Sequence, residues 1–573
     1  VCVLSITTPQ SLSVMMMKMK KMTFSMMMMM VVLLSSSFAE VSLATVPRDL
    51  SNFQNVWQCP SDVYIGRPRT IEQLQTLVKQ AKHVRANGLG HSWNTQHFCP
   101  ASAQSAAAAP EAEANTIFTS NGGGGKDSVN VQLRTISPKQ IIVDEENLTV
   151  LVDAGVKTRD LLNYLSEFGD GSGYTLPAFS WFIDQTIGGA VATGTHGSSL
   201  EYGSFSSEKQ LLGVEMVLAN GTLVNLTPDT HPQLMRAARV SAGRLGVITK
   251  VKLRLVPEMR VRREMNDRLQ SVMFNAINEG QRLWNEEGKL SPALNETQFL
   301  WWIQQGRVFH VQFERLEATR QDRSKAERAP MVIPQVPNPG PLILQSQGFS
   351  TFLDPAIRSV VSTSVAEARD SFITMTEPLY EMHRVNMYDQ YEISVPFSTM
   401  GNCFNGLRDL LRRNIAISQS FFSPALVRFV SQEDGLLSQT EDGPRLYINI
   451  EDYLFYVQGR IINTGFKQVM AYFRSDERCA GSRLHWGKAG WPDAGCWDGA
   501  EEYPNTWCDF GCAAMALDPK NKFADSGAVF SWQGSNLESC CSAEHKYQHG
   551  PGCQCQAGGR RSDCPAAPGY TNR

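Results

Sequence analysis

Apolar spacing along residues 45–260 alternates strand-like runs with amphipathic helices. Leu74, Leu77, Val78 and Ala81 recur at helical spacing behind Thr70, which with Gln73 makes a capping box, so a helix is predicted over residues 71–81. Residues 141–144 and 148–153 read as strands, and Leu161, Leu162 and Leu165 place a helix over residues 158–168. Strands follow at 211–218, 223–226 and 247–255, with Asn220-Gly221 as the turn of a hairpin between the first two. Residues 100–126, rich in Ala, Ser and Gly, have no apolar period and read as a solvated insertion.

Beyond residue 260 the texture changes. An amphipathic helix is predicted over residues 404–415 and strands over 308–313, 391–395 and 426–430. Pro330, Pro334, Pro337, Pro339 and Pro341 crowd one stretch that reads as a long surface loop. From about Asn536 the periodicity is gone. The predicted organisation is a leader (1–44), an α+β domain (45–258), a second α+β domain (259–535) and a cysteine-rich tail (536–573).

Composition narrows the function classes. The 573 residues are 42% hydrophobic and 19% charged, with a net charge of −3 and no long basic run after the leader, so nucleic-acid binding has no electrostatic support. Lys18, Lys20 and Lys21, the apolar run 26–34 and the small residues Ser35, Ser36, Ser37 and Ala39 have the layout of a secretory signal peptide, with cleavage after Ala39 or Ala44. The expected location is the secretory pathway or outside the cell. The alternatives are an uncleaved membrane anchor, the one route to membrane association, or an organellar presequence. Of 13 cysteines, removal of Cys2 leaves an even number, and Cys540, Cys541, Cys553, Cys555 and Cys564 crowd the tail at spacings unlike zinc sites, which favours disulfides and no metal. Sequons at Asn147, Asn220 and Asn295, with a poorer one at Asn225, fit the same compartment.

Two glycine-rich segments carry the candidate chemistry. Gly88-Leu89-Gly90-His91-Ser92-Trp93-Asn94 and Gln185-Thr-Ile-Gly-Gly-Ala-Val-Ala-Thr-Gly-Thr-His-Gly197 each combine glycine, small hydroxyl residues and one histidine. Glycine lets the backbone approach a bound group closely, and neighbouring N–H groups can cradle an anion.

With Val152-Asp-Ala-Gly-Val, Arg239-Val-Ser-Ala-Gly-Arg-Leu-Gly-Val-Ile and His485-Trp-Gly-Lys488, in this order, the chain resembles the vanillyl-alcohol-oxidase superfamily of FAD enzymes. Within it, the resemblance is to the aldonolactone oxidases, including L-gulono-1,4-lactone and D-arabinono-1,4-lactone oxidases and plant gulonolactone-oxidase-like proteins. It implies a two-subdomain FAD-binding (PCMH-type) domain followed by an α+β substrate domain. It also implies FAD attached covalently through His91. Gly88, Leu89, Gly90, Ser92, Gly188, Gly189, Thr193, Gly194, Thr195, His196 and Gly197 would surround the pyrophosphate and flavin, and Gly246, Val247 and Ile248 the adenine end.

The implied reaction is two-electron oxidation of a sugar lactone, with molecular oxygen as acceptor and hydrogen peroxide as by-product. Lys488 is the candidate cation beside the flavin, His485 is oriented next to it, and Arg428 is the candidate ligand of lactone or alditol oxygens. Where many relatives carry Glu-x-Arg, this chain has Leu426-Val427-Arg428, and Glu392, the nearest spare carboxylate, reads as a solvated strand-edge residue. Two other readings stay open: an alditol or carbohydrate oxidase, and a secreted cysteine-rich binding protein with a decayed flavin site.

Overall fold

The computed structural model describes residues 50–52, 57–93, 98–101, 127–169, 173–180, 182–316, 363–371, 388–418, 420–421, 424–453, 456–457, 460–461, 465–491 and 499–524. The leader, most of the insertion before residue 127, the proline-rich stretch and the cysteine-rich tail lie outside these residues.

Among the described residues, three sheets of three or more strands make an α+β architecture. The first is parallel, β1 (Tyr64–Gly66), β2 (His83–Asn87) and β3 (Ser128–Gln132), with β3 in the middle. Helix α1 (Ile71–Gln80) connects β1 to β2, buries Leu74 and Val78, and is capped by the Thr70 side chain accepting from the Gln73 N–H. Gln73 answers by accepting from the N–H of Arg69 rather than that of Thr70.

The second sheet is antiparallel: β4 (Ile141–Asp144), β5 (Thr149–Asp153), β6 (Leu211–Val217), β7 (Leu223–Leu226) and β8 (Val247–Arg254), in the order β4-β5-β8-β6-β7. The predicted hairpin is there. Gly221 takes a φ of 83° in the turn between β6 and β7, a conformation that suits glycine. Helix α2 (Thr158–Ser166) turns Leu161, Leu162 and Leu165 into the core as predicted. The short helix α3 (Ile187–Ala192) carries Gly188 and Gly189, and α4 (Pro232–Arg239) precedes β8.

The third sheet has eight antiparallel strands: β9 (Arg260–Leu269), β10 (Thr297–Trp302), β11 (Arg307–Leu316), β12 (Thr363–Glu367), β13 (Tyr388–Pro396), β14 (Ala425–Val430), β15 (Arg445–Tyr453) and β16 (Arg483–Leu484). Their spatial order is β12-β9-β11-β10-β14-β15-β13-β16. Helices α5 (Gln270–Glu287), α6 (Met400–Arg413) and α7 (Gly465–Ser475) bury Phe274, Phe404 and Phe473 beside it, and α8 (Trp507–Leu517) follows. One buried apolar cluster runs without a break from Leu74 to Phe523, so the sheets share a core. The last described residues return to the first sheet, where the Val84 N–H donates to the Lys522 carbonyl and the Lys522 ammonium reaches the carbonyl of Val78.

Two disulfides, Cys59–Cys99 and Cys403–Cys479, close loops within the described residues. No helix among those residues is long and apolar enough to cross a membrane.

Candidate active site

Cross-strand register builds the floor of the site. Leu426 of β14 faces Asn449 of β15, which faces Glu392 of β13, and the next strand, β16, ends just before His485. Side chains directly opposite in a ladder share a face, as do residues two apart, so Gln390, Glu392, Leu426, Arg428, Asn449 and Glu451 form one patch. All six line a single cavity together with His485 and Lys488.

Glycine-rich loops complete the lining. Gly88, Leu89, Gly90, His91 and Ser92 line the same cavity, as do Gly188, Gly189, Thr193, Thr195, His196, Gly246 and Ile248. Gly90 has a φ of 74°, the left-handed region where a side chain is strained. At Gly189 a Cβ would meet nothing but the Thr186 hydroxyl, at 3.3 Å, which leaves its other side open to the cavity. The Val152-Asp-Ala-Gly-Val motif explains the placement of α3. Ile187 and Gly188 donate to the carbonyls of Val156 and Ala154, and a Cβ on Gly188 would come within 2.7 Å of the Ala154 methyl.

Three predicted cofactor residues stand elsewhere. Gly194 (φ 67°) makes the turn whose carbonyl faces His485. Gly197 is needed because a Cβ there would collide with the carbonyl of Phe179. Val247 is 1% exposed in the core, with Gly246 and Ile248 on either side reaching the cavity.

Sequence reading also missed wall residues. Arg85 of β2 lines the cavity and donates to the carbonyls of Ala242, Gly243 and Phe523, tying three segments together. Nothing in the strand His83–Asn87 marks it out. Trp93, in the glycine loop, donates its N–H to the carbonyl of Gly487 and lies under the Lys488 ammonium at 4.7 Å, so the two loops are in direct contact.

The clearest correction concerns Glu392. It is 1% exposed and its carboxylate is paired with the Arg428 guanidinium, whose other terminal nitrogen donates to the carbonyl of His196 at 2.7 Å. β13 is not an edge: it lies between β15 and β16, and the polar face of its alternation looks into the cavity. Burial alone would raise the Glu392 carboxyl, but Arg428, His196 and His485 together hold it well below the usual carboxylate range.

His196, Glu392 and His485 bring one nitrogen or oxygen each within 4.8 Å of one another. Arg428 already supplies the positive charge to that carboxylate. His485 accepts from the Gly487 N–H at Nδ1 and faces the Gly194 carbonyl with Nε2, and burial pushes it down to about 3, so it is a neutral ring with both nitrogens occupied. Lys488 reaches the side-chain oxygen of Gln390, and loss of water inside the cavity lowers it to about 8.

The chain matches an FAD binding domain over residues 115–227 and D-arabinono-1,4-lactone oxidase over residues 344–530. It is 38% identical over 112 residues to a D-arabinono-1,4-lactone oxidase of Eremothecium gossypii, an alignment covering 20% of each chain. It is 27% identical over 216 residues to the mitochondrial L-galactono-1,4-lactone dehydrogenase of Brassica oleracea, covering 37% of this chain and 31% of that one. The chain thus spans less than a third of the length of either relative. Among solved structures, cholesterol oxidase from B. sterolicum superposes with a TM-score of 0.60 at 12% identity, over 83% of this chain and 95% of that one, a likeness of fold. The chain is similar to the aldonolactone oxidase branch of the vanillyl-alcohol-oxidase superfamily of FAD enzymes, whose FAD binding and lactone oxidase domains it matches in that order.

Proposed function

We propose that this protein is an FAD-dependent oxidase of aldono-1,4-lactones, of the L-gulono-, L-galactono- or D-arabinono- type, yielding ascorbate or an analogue and hydrogen peroxide. The observation that carries the reading is a single cavity lined by the glycine loops together with the Arg428–Glu392 pair, Gln390, Asn449 and Lys488.

The residues present fit FAD. Gly189 leaves open the space that a Cβ would fill, Gly90 takes a left-handed φ of 74°, and the adjoining N–H groups of the two loops suit a pyrophosphate. Gly88–Ser92, Gly188, Gly189, Thr193 and Thr195 would hold the pyrophosphate and flavin, Gly246 and Ile248 the adenine end, and His91 would carry the covalent bond. When bound, FAD supplies the two-electron acceptor for the substrate carbon.

The chain's own residues do the rest. Arg428 binds a substrate oxygen through a guanidinium that Glu392 and the His196 carbonyl hold in one orientation. Lys488 offers positive charge where negative charge grows on reduction, and Trp93 and Gln390 fix its position. His485 serves as a pin, because both its nitrogens are committed. Among the residues of the eight-stranded sheet and the His485–Lys488 turn, two cations, Arg428 and Lys488, accompany two carboxylates, Glu392 and Glu451, and this local balance favours a neutral lactone over an aldonate anion.

The two disulfides, with the predicted leader, support an oxidising compartment in the secretory pathway. Leu426 in the cavity wall keeps a second reading in view, an alditol oxidase, because the carboxylate usual at that place is missing. Oxygen uptake and peroxide yield of the FAD-loaded protein with L-gulono-, L-galactono- and D-arabinono-1,4-lactone and with xylitol separate the two. Turnover of a lactone is expected; turnover of xylitol alone would favour the second reading, and turnover of none would sink both.

A further inference from the structure

His196 and His485 lie with ring centroids 5.5 Å apart, yet their nitrogens are in opposite situations. His196 Nδ1 stands 2.9 Å from the carbonyl oxygen of Gly197. A carbonyl can only accept, so Nδ1 carries the proton and, in the neutral ring, Nε2 is a bare lone pair. That Nε2 is buried and has no hydrogen-bond partner among the described residues. It stands 3.5 Å from the Glu392 carboxylate oxygen, so two acceptor atoms face each other side by side in the lining of the cavity. A buried acceptor without a donor is costly, and the arrangement is completed by a proton arriving from outside.

We infer that His196 Nε2 is the catalytic base that takes the substrate's hydroxyl proton. The inference rests on the functional reading above and gives His196 a part in the chemistry. In the step, the hydroxyl O–H bond breaks and an N–H bond forms at Nε2. The hydrogen on the same carbon leaves with its electron pair to the flavin, which is the oxidant, and the carbon–oxygen bond becomes a carbonyl. The resulting imidazolium lies against the Glu392 carboxylate, which offsets its charge.

The groups facing His196 set the balance. Burial and the Arg428 charge keep the resting ring neutral, which is the competent form, while Glu392 favours the proton once it has arrived. Tyr447 packs on the ring at 4.0 Å between centroids, and burial drives its phenol well above the ordinary value, so it stays neutral. His485 is neutral and tied on both sides, and Lys488 is engaged with Gln390.

The test has two arms. Nitrogen-15 histidine spectra of the FAD-loaded protein, with His196 assigned by its loss in His196→Gln, should show a neutral ring protonated at Nδ1 at pH 7; a ring protonated at Nε2, or at both nitrogens, overturns the proposal. On whichever lactone the wild type oxidises, His196→Gln should keep its flavin spectrum, lose about 10²- to 10⁴-fold in kcat, and lose the acid limb of the kcat/KM profile. A variant within about threefold of wild type that retains that limb overturns it. A wild type that oxidises no lactone or polyol strikes the functional reading instead, and the spectra then decide the acceptor assignment by themselves.

Discussion

At the scale of residues, chemistry was legible where it is written as a motif and hidden where it depends on tertiary placement. The glycines announce themselves because backbone geometry demands them, and His91 stands out as the one titratable residue of its loop. Glu392 does not, because Tyr391-Glu-Ile-Ser-Val395 has the alternation of a half-exposed strand, and the sequence does not reveal that the polar face is covered by a second wall. Lys488 yields a pH prediction. With its value lowered to about 8, it is charged below that pH and loses its charge as pH rises through it, so kcat should fall on the alkaline side. Lys488→Arg, which stays charged, should remove that limb, and Lys488→Met should cost about 10²- to 10³-fold at every pH. Identical alkaline limbs in wild type and Lys488→Arg would assign the limb to another group. The sign for stability is opposite: a folded-state value below the ordinary 10.5 makes the lysine's charge a cost that fades between about pH 8 and 10.5. Cofactor-free Lys488→Met should therefore unfold at no lower temperature than wild type at pH 7.

At the scale of elements, amphipathic period located α1, α2 and the core of α6, and the strands β4 to β8, to within a few residues. It failed for β9, whose sequence Arg-Val-Arg-Arg-Glu-Met-Asn-Asp-Arg-Leu is mostly charged. Two of those charges are met across strands: Arg307 of β11 pairs with Asp267 at 2.8 Å, and Arg262 pairs with Glu314. Pairing across strands also explains Glu392, which β13 delivers to an arginine on β14 two strands away in the sheet. Both members of that pair are buried, so Glu392→Gln should cost about 3–5 kcal/mol in denaturant unfolding, because it leaves the guanidinium uncompensated. The wild-type contribution is present above the usual carboxyl value of 4.5 and is lost as pH falls through the lower folded-state value. A loss below about 1 kcal/mol would mean that Arg428 finds another partner. In α3, Gly188→Ala should push the helix off Ala154 and release flavin, read as the visible absorbance retained after purification; undiminished colour would refute the packing argument.

At the scale of the whole molecule, the sequence shows which segments carry the chemistry and is silent on how they meet. His196 and Arg428 are 232 positions apart, and Lys488 and Gln390 are 98 apart. Only the order of the eight-stranded sheet and its shared core bring them to one cavity. The return of residues 518–524 to the first sheet, locked by Lys522 and by Arg85, has the same long-range origin. Cys403–Cys479 closes 76 residues of the second region, and removing it as Cys403→Ala/Cys479→Ala should lower stability by about 2–4 kcal/mol, measured by denaturant unfolding under oxidising conditions. Equal stability of the double variant and the wild type would show that the bridge does not form in the native protein.

The most direct test of the central claim is anaerobic mixing of the purified holoprotein with each aldono-1,4-lactone while the visible flavin absorbance is followed. At least one lactone should bleach the flavin band, and admitting oxygen should restore it with formation of hydrogen peroxide. A colourless protein, or a flavin band that no lactone bleaches, would contradict that claim.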